Sequence, residues 1–402
     1  MPAASELALA PVQRFGHLSA ERRDELFALP PRSPREAVGA KAVGMALGAL
    51  LYGPATTSSV ASRLLNGHWR SLTAVVLCLE DAVADIRLED AESVLMETLE
   101  TIAVEIGHGR PRGTIPYVFV RVRGPEHLER LLARLGPLSH ELDGIVLPKV
   151  TVASAAHFLA VMRHAQRDRD RPLWAMPILE GPDTAHRERR LDTLLGLKDL
   201  LAAYRDLVPC MRIGATDLSG LWGLRRSRDF TVYDLAAVAD VIADVVNVFG
   251  RSDGAPAISG PVWEYIHDEP IFKPRLRETP FTDAFGPDGA DKRAALLSTA
   301  IDGLLREALL DRVNGLHGKT VIHPSHIAPV DAVYAVSHSE HQDALAILNA
   351  GVQAGVEGLT VGARMNEPKP HRLWAERTLQ RAEAFGVLRE ERSFLELVPA
   401  KA

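Results

Sequence analysis

Glu180, in Met-Pro-Ile-Leu-Glu-Gly, and Asp217, in Gly-Ala-Thr-Asp-Leu, each follow a short apolar run. Two carboxylates so placed suit one hard divalent cation, because Mg²⁺ prefers oxygen ligands and keeps positions open for water and substrate. Such an ion can chelate a keto or hydroxy acid and stabilise the enolate formed when the neighbouring carbon–carbon bond breaks. Arg121 meets a second requirement, since its planar guanidinium holds a carboxylate through two hydrogen bonds. Glu80-Asp81, Lys149 and His323-Pro324 also close apolar runs. His323 reads either as a substrate or water contact or as a histidine fixed at a strand end. Arg225, Arg226 and Arg228 follow the Asp217 run. With Arg123 they are expected to receive a second anionic group, so that the substrate carries several negative charges.

These residues need a scaffold that brings distant strand ends together. Eight β-rich apolar runs fit: 50–52, 73–79, 117–122, 144–147, 173–179, 210–213, 257–259 and 320–322. Helical spacing is read between them over 90–105, 125–135, 154–168, 188–205, 233–249 and 294–313. Near-continuous apolar strands alternating with helices predict a parallel sheet buried on both faces. A TIM-type (β/α)₈ barrel is the expected fold, and it projects the C-terminal strand ends into one shared mouth. The competing doubly wound sheet would carry a glycine-rich turn after its first strand, and no GxGxxG follows any candidate strand. Gly318-Lys319-Thr320 is no phosphate loop, since Val313 stands where the motif needs glycine.

The division expected is an N-terminal extension over 1–45, the barrel over 46–335 and a helical extension over 336–402. A long Pro-, Gly- and Asp-rich insertion over 252–292 interrupts the barrel near its seventh strand. The formal charge of −6 gives no drive toward nucleic acid or anionic lipid. Cys78 and Cys210, the only two cysteines, are too few for a disulfide framework. The N-terminus lacks the cationic start of a signal peptide, and no apolar run is long enough to span a membrane. A cytoplasmic enzyme acting on a small anionic molecule is expected. The extra apolar helices beyond a closed barrel suggest a homo-oligomer.

Simpler roles exist for each residue. Glu180 could be an ion-paired strand cap, Asp217 a helix N-cap and Arg121 a salt-bridge partner. Lys149 could neutralise Glu80 or Asp81, and acidic neighbours would keep it charged, unlike a Schiff-base nucleophile. The pairs His323/His326 and His338/His341 have zinc-like spacing without a third ligand.

Taken together, Leu79-Glu80-Asp81-Ala82-Val83, Val120-Arg121-Val122, Val146-Leu147-Pro148-Lys149-Val150, Leu179-Glu180, Gly214-Ala215-Thr216-Asp217-Leu218 and Gly318-Lys319-Thr320-Val321-Ile322-His323-Pro324 resemble the HpcH/HpaI aldolase and citrate lyase β-subunit family over residues 50 to 335. The resemblance implies a TIM barrel, Mg²⁺ on Glu180 and Asp217, a substrate carboxylate on Arg121, and Glu80, Asp81 and Lys149 beside the metal. It also implies carbon–carbon bond cleavage or formation in hydroxy or keto acids, often as coenzyme A thioesters, which some members hydrolyse. Arg123 replaces a common asparagine, and the 252–292 segment has no counterpart in compact members. Trp222 to Arg228 and Met365 to His371 resemble a divergent bacterial subgroup of carbon–carbon bond lyases. Two other readings remain open: a thioesterase on the same site, or a non-catalytic barrel that binds or assembles.

Overall fold

The computed structural model describes residues 9–69, 71–251, 254, 256–266, 299–350 and 367–399. Its barrel strands in chain order are β2 (Ala49–Pro54), β3 (Ala74–Cys78), β4 (Tyr117–Arg121), β5 (Gly144–Leu147), β6 (Trp174–Leu179), β7 (Cys210–Ile213), β8 (Ala257–Ser259) and β9 (Lys319–Val321). A short β1 (Phe27–Leu29) and β10 (Val387–Leu388) pair outside them. All eight barrel strands predicted from the apolar runs are present. They are parallel in the order β8-β7-β6-β5-β4-β3-β2-β9. Gly260 closes the ring: its N–H donates to Gly318 O at 3.0 Å and its carbonyl accepts from Thr320 N–H at 3.2 Å.

Alternation along the strands separates two cores. Inward residues such as Val76, Phe119, Val146, Trp174, Met176 and Cys210 fill the barrel, while outward ones meet the surrounding helices. Helix Gly39–Ala46 plugs the N-terminal end of the barrel, adding Ala40 and Val43 to the interior cluster. It lies so close that a Cβ on Gly44 would overlap the Pro209 carbonyl.

Both extensions build this closed end. Arg14 is fully buried, donates to Ala384 O at 2.9 Å and pairs with Asp331 at 2.6 Å. Asp331 in turn accepts from Ala49 N–H at 2.8 Å, at the start of β2. Helices His338–Asn349 and Pro368–Phe385 pack together through Ala344, Ile347 and Ala375, and β1 joins β10. Part of their apolar surface is thus covered within the chain. Most of 252–292 lies outside the described residues. Its described part supplies β8 and the buried Trp263, which stacks beneath Arg226 at 5.0 Å. Among the described residues no helix is long and apolar enough to cross a membrane.

Asp143, at the entry to β5, ties the N-terminal segment to the barrel. It accepts from Arg35 at 2.6 and 2.9 Å, Arg112 at 2.8 Å and Val118 N–H at 2.8 Å. Burial alone would raise its pKa, but Arg35 and Arg112 outweigh that and hold it well below the ordinary 3.8. A depressed carboxyl stabilises the fold above its unfolded value, and that contribution is lost as pH falls toward its folded one. Asp143→Asn is expected to cost about 3–5 kcal/mol at neutral pH. In urea denaturation its difference from wild type should shrink as pH falls from about 5 to about 2. A pH-independent difference would contradict this.

Candidate active site

Because the strands run parallel, the residues leaving their C-terminal ends converge. Arg121 ends β4, Glu80 lies two residues beyond β3, Lys149 follows β5, and Glu180 directly follows β6. Asp217 sits in the first turn of helix Ala215–Leu221 after β7. Arg121 and Glu180 are buried, Glu80 nearly so, and Asp81, Lys149 and Asp217 open to solvent.

Arg121 Nη2 organises the carboxylates. It lies 2.8 Å from Glu80 Oε2, 3.2 Å from Asp81 Oδ2 and 2.9 Å from Glu180 Oε1. Lys149 Nζ spans the other side, 2.7 Å from Glu80, 3.2 Å from Asp81 and 3.5 Å from Asp217. Lys149 has φ +47°, a left-handed conformation that costs a non-glycine residue on the order of 1–3 kcal/mol. That backbone lets its N–H donate to Glu180 Oε1 at 3.0 Å while its ammonium reaches the acidic pair. Gly214 is needed opposite: a Cβ there would overlap the Glu180 carboxylate.

The charges do not balance. Four carboxylates, Glu80, Asp81, Glu180 and Asp217, face two cations, Arg121 and Lys149. With all four ionised, two positive charges would be missing, the charge of one divalent cation. Burial, reinforced by Asp217 and Glu80 and opposed by Arg121, pushes Glu180 up to about 7. Burial also raises Glu80, whereas Asp81 is held down by its hydrogen bond with Glu80 and by Arg121 despite partial burial. Against partial desolvation, Glu80 and Asp217 raise Lys149, so it stays protonated and does not serve as a Schiff-base amine.

Among the described residues no three His, Cys, Asp or Glu side chains are arranged to hold a metal alone. The donors nevertheless suit Mg²⁺, which commonly takes one or two protein carboxylates and keeps water or substrate elsewhere. Glu180 Oε1 is used by Arg121 and Lys149, and its Oε2 accepts no hydrogen bond within the described residues. Arg121 Nε is buried without a partner there, as expected of a guanidinium with capacity for a carboxylate.

Arg123 and Arg226 differ from expectation. Arg123 donates to Leu79 O at 2.8 Å and Val83 O at 2.7 Å and pairs with Asp85. Its fork is spent shaping the loop that carries Glu80 and Asp81. Arg226 is buried against Glu307 and donates to Val262 O at 2.7 Å. It approaches Glu264, which accepts from Thr216 Oγ1 at 2.6 Å, so it braces the Asp217 helix and has no fork free for substrate. Arg225 is exposed. His323 is exposed and turned back on Ser325, with Nδ1 2.7 Å from its hydroxyl.

Sequence reading missed the polar residues inside the barrel. Tyr52 and Arg212 stack at 5.4 Å, and Arg212 donates to Thr320 Oγ1. A charged residue within the apolar run Cys-Met-Arg-Ile was the available signal. Lys319 of the glycine-lysine-threonine run points outward instead, 2.8 Å from Glu307 and 2.7 Å from Asp311.

Removing Arg121 leaves Glu180 buried without its cation. Arg121→Met is expected to cost about 3–5 kcal/mol at pH 8, and the added change Glu180→Gln should return much of it. Strictly additive losses in a double-mutant cycle would show that the pair is not coupled.

A family model described as C–C bond lyase of the TIM-barrel fold matches residues 41–387. A citrate lyase from Burkholderia xenovorans LB400 superposes with TM-score 0.58 at 18% identity, covering 89% of this chain and 98% of that one. CitE from Mycobacterium tuberculosis, in complex with magnesium, acetoacetate and coenzyme A, gives TM-score 0.50 at 19% identity, covering 84% and 99%. No curated protein matches the sequence. The chain belongs to the family of C–C bond lyases of the TIM-barrel fold, and its converging carboxylates and arginine lie at the barrel end where that fold does its chemistry.

Proposed function

We propose that this lyase is Mg²⁺-dependent and cleaves, or forms in the reverse direction, a carbon–carbon bond in a hydroxy or keto acid or its coenzyme A thioester. One observation carries the reading: a buried carboxylate, Glu180, has one oxygen fixed by Arg121 and Lys149 N–H while the four carboxylates of the site outnumber its two cations. Magnesium held by Glu180 and Asp217 would supply Lewis-acid stabilisation of the negative charge that develops on the substrate oxygen as the bond breaks. Magnesium, acetoacetate and coenzyme A in the M. tuberculosis CitE structure agree with this choice.

The protein's own groups do the rest. Arg121 offers its unpartnered Nε side to the substrate carboxylate and fixes the acid against the carboxylate pair. Lys149 keeps Glu80 and Asp81 compatible with a buried anion site, and its strained backbone aims the N–H that orients Glu180. Glu80, with one oxygen on Arg121 Nη2 and the other on Lys149 Nζ, holds the two cations of the site together.

Calorimetry with Mg²⁺ in the presence of pyruvate tests the assignment. Wild type should bind the ion, and Glu180→Gln and Asp217→Asn should each weaken binding at least about tenfold, the scale of losing one charged ligand contact. No Mg²⁺ binding by the wild type would contradict it, as would full binding by both variants.

A further inference from the structure

Arg212 lies on β7 in register with Ile178 of β6, two residues short of the level of Glu180. Strand geometry places it about 6–7 Å deeper and about 5 Å to one side, the reach of a small acid. It is 2% exposed, and among the described residues no carboxylate pairs with it. Nη2 donates to Thr320 Oγ1 on β9, and the guanidinium lies 5.4 Å from the centre of the Tyr52 ring on β2. Its Nε is buried without a partner. Ser259, its register neighbour on β8, has a buried hydroxyl that is likewise unpartnered.

The other buried cations differ. Arg14 has Asp331, Arg226 has Glu307, Lys319 has Glu307 and Asp311, and Arg121 has Glu180. A cation taken out of water without an anion is costly, and hydroxyls compensate it poorly. Tyr52, which packs against it, is only partly buried, so this wall of the barrel borders the open mouth. Burial holds the Tyr52 hydroxyl above its ordinary range, and both Arg212 and Arg121 lie close enough to oppose that shift.

We propose that Arg212, with Thr320 and Ser259, receives a second carboxylate of the substrate and is the residue that selects dicarboxylic over monocarboxylic keto acids. The inference rests on the metal-site reading above, in which the first carboxylate lies at Arg121. It moves the second anion receptor from the loop arginines, two of which are spent on structure, to the barrel wall between β7 and β2.

Oxaloacetate and 2-oxobutyrate test this, because both are four-carbon 2-keto acids and differ by a terminal carboxylate against a methyl. Dissociation constants are measured on the full chain with Mg²⁺ for wild type, Arg212→Gln, Arg212→Lys and Thr320→Val. Wild type should prefer oxaloacetate at least about tenfold, the scale of a charge-assisted hydrogen bond. Arg212→Gln should bring the ratio close to one through weaker oxaloacetate binding, with Arg212→Lys and Thr320→Val in between. The three variants together keep the test open if one fails to fold. An unchanged ratio in folded variants, or no preference in a wild type that binds both acids, would overturn the subsite and leave the metal site standing. A wild type that binds neither acid would overturn both.

Discussion

Every part of the active end depends on one buried contact, Arg121 Nη2 with Glu180 Oε1. Glu180 leaves β6 into a buried position that disfavours its charge, and Arg121, at the end of β4, is the cation that opposes the penalty. The same nitrogen reaches Glu80 and Asp81, so one guanidinium sets the positions of three carboxylates on two strand ends. Lys149 completes the arrangement from β5 only because its backbone is held left-handed, and Gly214 leaves room only because it lacks a side chain. Pre-organisation of this kind costs stability where it occurs and has to be carried by packing elsewhere.

The opposite end carries it. Arg14 and Asp331 join the first residues to the chain just after the barrel, while Arg35 and Arg112 converge on Asp143 beneath β4 and β5. A helix plugs the base, and the C-terminal helices pack over it. Among the described residues the barrel therefore presents a closed bottom and a charged top, the division of stability and chemistry that this fold permits.

The barrel was legible because its strands are buried on both faces and read as continuous apolar runs, from Ala74–Cys78 to Cys210–Ile213. Even Ala257–Ser259, short and next to a polar insertion, was recoverable from its place in the alternation. The convergence of Glu80, Asp81, Arg121, Lys149, Glu180 and Asp217 was also legible, since a parallel barrel gathers strand ends whatever their separation in sequence. The roles of Arg123 and Arg226 were not. A side chain's residue type does not say whether its fork is spent, and Arg123 turns to carbonyls of the preceding loop while Arg226 turns to a glutamate on a distant helix. Arg212 escaped notice for the converse reason: inside an apolar strand, only the inward pleat shows that it faces the barrel interior, toward Tyr52 and Thr320.

The central claim is that these side chains stabilise a carbanion equivalent next to a carbonyl, and proton exchange reads that directly. Pyruvate incubated with the protein and Mg²⁺ in D₂O can be followed by NMR at its methyl group. Exchange should be accelerated by the wild type, should need Mg²⁺, and should be absent from Glu180→Gln and Arg121→Met. Exchange no faster than with Mg²⁺ alone, or equally fast in both variants, would show that the barrel end described here does not stabilise an enolate.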